Sequence, residues 1–257
     1  MAKTRVLLVG ESWISAATHF KGFDQFGSVT FHSGAEPLVK ALADSAFDLV
    51  WMPSHEAVQA FPFAMDGLAQ FEAVILSDIG ANSLLLPQEV WMHGRPMPNR
   101  LKLLRDWTFQ GGGLVMVGGY MSFQGIDGKG RWRGTAVEEA LPVDCLPYDD
   151  RLETPEGMQA VITGPHHPVL EGMGSDWPLL LGLNEVRVKN RPDVEVLART
   201  PRDQGDHPLL VTGTYGRGRS VAWMSDMSPH WLPAAFSDWD GYARLWQNIL
   251  AWSCRQI

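Results

Sequence analysis

The feature that most constrains this chain runs from Gly111 to Gly125, Gly-Gly-Gly-Leu-Val-Met-Val-Gly-Gly-Tyr-Met-Ser-Phe-Gln-Gly. Before it, Leu101, Leu104 and Trp107 recur at helical spacing, with Pro98 near the start. Three glycines end that helix, Leu114 to Val117 read as a buried strand, and Gly118-Gly119 force a sharp turn. Such strand-to-turn junctions let one side chain project from strained backbone, which is how α/β enzymes present a nucleophile. The projecting residue here is Tyr120, where a cysteine or serine is expected.

Short apolar runs alternate with helical segments through the first half. Val6–Val9, Val29–Phe31, Leu49–Met52, Ala73–Leu76 and Leu114–Val117 are read as strands. Helices are expected over 13–20, 36–45, 55–60 and 98–110. Mostly apolar strands separated by helices predict an α/β fold, a flavodoxin-like doubly wound, mostly parallel sheet covered on both faces. Residues 120–160 break the rhythm with Gly125, Gly128, Gly130, Gly134, Pro142 and Pro147. They read as a loop-rich insertion with one helical turn near Val137–Ala140, placed to cover the strand ends as a lid.

The C-terminal part is strand-rich: Gln159–Ile162, Glu185–Val188, Val194–Ala198, Leu209–Val211 and Ser220–Met224. Tyr215-Gly-Arg-Gly-Arg219 signals a hairpin turn between the last two. Tyr242, Leu245, Trp246, Ile249 and Leu250 form the apolar stripe of a final helix. No repeat or linker is apparent, so residues 1–257 are read as a single domain.

A net charge of −8 disfavours nucleic acid or an anionic membrane as the main partner. The opening run Val6-Leu-Leu-Val9 is too short for a signal h-region or a membrane span. Cys145 and Cys254 are too few for a disulfide framework or a cysteine zinc site. A cytoplasmic protein is therefore expected. Eleven tryptophans fit a large aromatic core, or a site mouth that stacks on a flat ligand.

In open parallel sheets ligands sit beyond the carboxyl ends of the strands. Those ends carry Glu11, Ser12 and Trp13; His55; Asp78 and Gly80; Gly118, Gly119, Tyr120 and Ser122; and Asp226 with His230. Glu11 or Ser12 serves either a ligand or a helix cap, Asp78 either a ligand or a turn, and His55 either a site or a helix start. Asp226 and His230 lie on a loop that Pro229 keeps from being a regular helix, so the carboxylate can orient the imidazole as a general base. Tyr120 suits hydrogen-bond donation, and Ser122 attacks only if a base reaches it. Both also fit simple space-filling beneath the insertion.

Other motifs carry less. His166-His167 lacks a third metal ligand at useful spacing, Gly216-Arg-Gly-Arg219 joins no strand to a helix, and Cys145 has an acidic neighbour in Asp144. No metal and no cofactor is called for.

In combination, several motifs resemble the class I glutamine amidotransferase-like family of uncharacterised bacterial cytoplasmic proteins. They are Gly10-Glu-Ser-Trp13, His19-Phe-Lys-Gly-Phe-Asp24, Ser77-Asp-Ile-Gly-Ala-Asn82, Gly111–Gly125, Asp149-Asp-Arg151, His167-Pro168, Tyr215–Arg219 and Ser225-Asp-Met-Ser-Pro-His-Trp231. The resemblance spans about residues 5–252 and implies the flavodoxin-like fold, cytoplasmic residence and homo-oligomers as an open possibility. The wider superfamily places a cysteine at the elbow and a histidine after a later strand. Those positions fall on Tyr120 and His230, so thiol-dependent glutaminase activity is not expected. The fold also resembles that of trehalose-utilisation proteins, which likewise lack the elbow cysteine.

The resulting expectation is a protein that binds or transforms a small polar metabolite, an amide or a carbohydrate-like molecule. Asp226, His230, Tyr120 and Ser122 are the catalytic candidates. Glu11, Ser12, Trp13, His55, Asp78, Gly80, Gly118 and Gly119 are the binding candidates. The alternatives are a non-catalytic ligand-binding or regulatory module, or an oligomeric scaffold subunit.

Overall fold

A computed structural model describes residues 3–164 and 166–257; Met1, Ala2 and Pro165 lie outside the described residues. The strands of the first half are β1 (Thr4–Gly10), β2 (Ser12–Lys21), β3 (Asp24–Ser33), β4 (Phe47–Met52), β5 (Ala73–Ser77) and β6 (Gly113–Val117). Then follow β7 (Val143–Cys145), β8 (Arg151–Met158), β9 (Val161–Ile162), β10 (Leu180–Asn184) and β11 (Val186–Val188). The last three are β12 (Glu195–Arg199), β13 (Pro208–Tyr215) and β14 (Gly218–Trp223).

Eight strands form the central sheet in the order β4-β1-β5-β6-β14-β13-β12-β9. The first five run parallel; β13, β12 and β9 continue the sheet antiparallel. Counted in chain order, the parallel strands lie 2-1-3-4-5, the flavodoxin-like arrangement. Its topological switch point lies between β1 and β5. Val6–Val9, Val74–Leu76 and Leu114–Val117 are all buried, which is why their sequences are continuous apolar runs rather than alternations.

Helices cover the sheet in two groups. Asp240–Ser253 packs on Glu36–Leu42 and on β6 and β14, burying the predicted stripe of Tyr242, Leu245, Trp246, Ile249 and Leu250. A second group joins Ser54–Ala60, Ala81–Leu85 and Arg100–Phe109. Asn99 caps the last of these, its side chain accepting from the Leu101 and Lys102 amides.

The sequence reading fails at residues 13–20. They are not helical but form β2, paired antiparallel with β3 from Ser12↔Ser33 to Lys21↔Asp24. Val29–Phe31 accordingly belongs to this ribbon and not to the parallel sheet. The spacing of Trp13, Ala17 and Phe20 mimics a helix face. The stronger pattern has period 2, Ile14-Ala16-Thr18-Phe20, and Gly22 (φ 65°) opens the two-residue turn that closes the hairpin. Within 120–160 the helical turn is present as Ala136–Ala140, and the segment also contains β7 and β8. No helix among the described residues is long and apolar enough to cross a membrane.

Candidate functional site

A cleft of about 400 Å³ opens at the carboxyl ends of the parallel strands. Glu11 follows β1, Asp78 follows β5, Tyr120 and Met121 follow β6, and Asp226, Ser228 and His230 follow β14. Trp13 at the root of the β2–β3 ribbon and Ile126 from the insertion complete its walls. The site thus sits at the switch point, where crossovers diverge and leave a crevice.

The strand ends are strained in the same way. Glu11 (φ 52°) and Asp78 (φ 43°) are both left-handed although neither is glycine. At the third strand end the demand falls on Gly119 (φ 144°), whose amide and carbonyl are both held by the buried Asn184 side chain. Gly118 leaves no room for a side chain, which would collide with the Met224 carbonyl.

Three carboxyl groups dominate the cleft, and each is held differently. Glu11 is buried, accepting hydrogen bonds from the Ser77 and Ser228 hydroxyls. Burial, then the nearby Asp226 and Asp78 charges, push its carboxyl well above the usual range. Asp226 is also pushed well up, by burial and then by Asp78, although its Oδ1 accepts from the Met227 amide at 2.8 Å. Asp78 is raised by burial despite accepting from the Met121 amide at 2.7 Å. No arginine or lysine lines the cleft among the described residues. No group of three or more His, Cys, Asp or Glu among those residues is arranged to hold a metal ion.

The Asp78–Met121 bond has a chemical consequence. In an acyl-transfer elbow the amide of the residue after the nucleophile helps form the oxyanion hole. Here that amide belongs to Met121 and is already taken by a carboxylate. Ser122, buried one position further on, uses its Oγ to accept from the Asp78 amide at 3.1 Å, so it braces the same loop.

Tyr120 forms a wall. Its hydroxyl donates to Glu153 Oε1 at 3.2 Å, and the Arg151 guanidinium lies 4.8 Å from its ring centre. Burial and then the Glu153 charge raise its pKa, so it remains a phenol. The His230 ring stands edge-on to Tyr120 with centroids 4.1 Å apart. His230 Nδ1 lies 3.6 Å from Asp226 Oδ2, an ion-pair distance too long for a direct hydrogen bond. Burial lowers the His230 pKa, so the imidazole is neutral at pH 7 and available as a base.

Of the predicted residues, Glu11, Trp13, Asp78, Tyr120, Asp226 and His230 meet in the cleft. Ser12 turns instead to accept from the Ser54 amide at 2.8 Å, serving the helix after β4 rather than one of its own. His55 is exposed on that helix, edge-on to Phe31, and does not line the cleft. Gly80 precedes helix Ala81–Leu85 and makes room for the Met121 side chain.

The supports Asn184, Asp150 and Glu153 were missed. Asp150 is fully buried and accepts from the Gln124 and Gly125 amides and from Asn184 Nδ2, each at 2.8 Å. Asp149-Asp150-Arg151 stood out as a motif, but its letters did not say what it holds.

The fold and the elbow at β6 define an α/β protein of the glutamine amidotransferase type. A family model described as "putative glutamine amidotransferase" matches residues 5–255, and the chain belongs to that family. It is similar to two solved structures titled as cytoplasmic proteins of Salmonella typhimurium. STM3548 is 39% identical, with 96% of this chain and 98% of that one covered and a TM-score of 0.90. STM1381, from strain LT2, is 39% identical, with 97% and 99% covered and a TM-score of 0.91. A "putative thua-like protein" of Parabacteroides merdae shares the fold at 14% identity, with 99% and 91% covered and a TM-score of 0.60. No curated protein matches the chain significantly.

Proposed function

We propose that this protein binds a small polar metabolite, uncharged or cationic, at the switch-point cleft and acts on it by proton transfer rather than through a thiol acyl-enzyme. The observation that carries the reading is the Asp78 carboxylate on the Met121 amide, which fills the place an oxyanion needs. A missing nucleophile supports it further. Tyr120 follows Gly118-Gly119, and neither cysteine lines the cleft. Cys145 is buried, and its thiol is pushed well up by burial and then by Glu138.

The cleft has three acids and no lining arginine or lysine among the described residues, so it offers no cation to receive a carboxylate or phosphate. The acids suit hydroxyl, amide or amine groups, which can donate to them, and Trp13 with Tyr120 offers flat apolar contact of the kind a sugar ring uses. In this reading His230 is the base, protonated carboxyls are the acids, and Tyr120 is a positioning residue. A cytoplasmic location is part of the proposal, supported by the two Salmonella relatives, both named as cytoplasmic proteins.

The test is a thermal-shift screen against sugars, polyols, amides and amines, followed by turnover assays on any compound that binds. A neutral or cationic compound should stabilise the wild type as RT ln(1 + [L]/Kd) and fail to stabilise an Asp226→Asn, His230→Ala double variant. Ammonia release from glutamine that disappears in Cys145→Ala would overturn the proposal. So would a panel in which only carboxylates or phosphates bind.

A further inference from the structure

The β2–β3 ribbon leaves the body at the cleft, touching helix Ser54–Ala60 near its root, where Phe31 meets His55. Among the described residues its strands pair with no strand but each other, and nearly every residue from Trp13 to Ser33 is exposed. The register sorts the side chains. One face carries the cross-strand pairs Ile14–Phe31 and Ala16–Val29, then Phe20, with Phe23 at the tip. Exposure of Ile14 is 59%, of Phe20 73% and of Val29 74%. A lone two-stranded hairpin is marginal in water at best, and exposed apolar patches of this size mark interaction surfaces.

We propose that this ribbon is an assembly arm whose occupant is a second copy of the same chain, each copy laying its arm on the other. Self-complementarity is the first reason. Both long edges of the arm present unpaired main-chain donors and acceptors, which an identical edge can satisfy.

Charge is the second. The arm's only formal charges are Lys21 and Asp24, opposite one another at the tip. An arm so neutral on a chain of net charge −8 has no basic surface for nucleic acid or anionic lipid.

A receiving surface is the third reason. Helix Ser54–Ala60 touches β2 and is joined by a Gln59–Gln88 hydrogen bond to the short helix Gln88–Trp91. On that flank Trp91 (72% exposed) and Met92 stand out, beside a groove lined by Leu85, Leu86, Val90 and Met97.

The area suffices. Ten residues per strand give an arm roughly 33 Å long. At a ribbon width of about 10 Å, each face offers on the order of 300 Å². Reciprocal exchange covers an arm and a receiving surface on every copy. With one arm face and an equal receiving surface that is about 600 Å² per partner, the lower end of the roughly 1,200–2,000 Å² total that specific interfaces bury. Trp13 at the root lines the cleft, so a docked copy would stand at its mouth.

Sedimentation velocity and light scattering on the full chain at low micromolar concentration test this. The wild type should run as a closed oligomer. Ile14→Asp with Phe31→Asp should bring the mass to that of the 28.5 kDa chain while the circular dichroism spectrum stays unchanged. A second variant, with 14–31 replaced by Asn-Gly, should do the same without placing charge on the ribbon. A monomeric wild type would overturn the proposal, as would an oligomer that survives in both variants. Flotation of a monomeric wild type with phosphatidylcholine–phosphatidylglycerol vesicles would assign the arm to membranes instead and refute the second-copy reading.

Discussion

Arg100 offers a sharp test of how the scaffold holds the cleft. Its side chain is fully buried and has no carboxylate partner among the described residues. Instead the guanidinium donates to five carbonyls. Three belong to the end of helix Ser54–Ala60, namely Ala57 (3.2 Å), Val58 (2.9 Å) and Phe61 (3.4 Å). Two belong to helix Ala81–Leu85, namely Leu84 (2.6 Å) and Ser83 (3.3 Å). Helix ends leave carbonyls without partners, and one cation here serves two of them while lying 4.6 Å from the Phe63 ring centre.

Burial lowers the Arg100 pKa to about 10, so it is still a cation at pH 7. Arg100→Met keeps the stem and removes every donor. The three shorter bonds, at about 1.5 kcal/mol each for a charged donor, set the gross loss, and relief of the buried charge returns a part of it. The net expectation is a loss of about 3 kcal/mol, or roughly 6–12 °C in Tm for a chain of this size. Urea denaturation with a fixed m-value measures it. A cost below about 1 kcal/mol would refute the argument, because the carbonyls would then be satisfied without the guanidinium.

Two further outcomes are expected. Glu11 binds its proton more tightly in the folded protein than in the unfolded chain, so its contribution is greatest below the unfolded pKa of about 4.3 and is lost as pH rises through the raised folded value. Glu11→Gln should therefore flatten the decline of stability as pH rises above the unfolded pKa, about 1.4 kcal/mol for each unit separating the two pKa values; an unchanged slope in urea titrations would contradict this. Asn184→Leu removes the partner of both polar groups of Gly119 and of Asp150, so a loss of about 2–4 kcal/mol is expected, and denaturation midpoints within error of wild type would show the network to be dispensable.

The parallel sheet was legible because strands buried on both faces must be apolar throughout, as Val6–Val9 and Leu114–Val117 are. Most of the cleft was legible for a topological reason: residues just beyond such strands converge in space, which gathers Glu11, Asp78, Tyr120, Asp226 and His230. What escaped depended on tertiary partners. Asn184 ends β10 far from the elbow in sequence, and only the packed structure brings its amide group to Gly119. Ser12 and His55 were over-read because proximity to a strand end does not fix the direction of a side chain. The ribbon was misread because Ala16-Ala17 and the spacing of Trp13 and Phe20 favour a helix locally, whereas pairing with 24–33 decides the outcome.

The base of that ribbon closes on itself: Ser12 pairs with Ser33, and the Gly34 amide donates to the Glu11 carbonyl at 2.9 Å. The two ends of the segment are therefore neighbours whatever lies between them. A stretch of chain entered at such a junction can lengthen, shorten or change its surface over evolutionary time while β1 and helix Glu36–Leu42 keep their places. Glu11 stands at that junction, so descendants of one ancestral sheet can acquire different outer appendages without redesigning the acid from which each appendage springs.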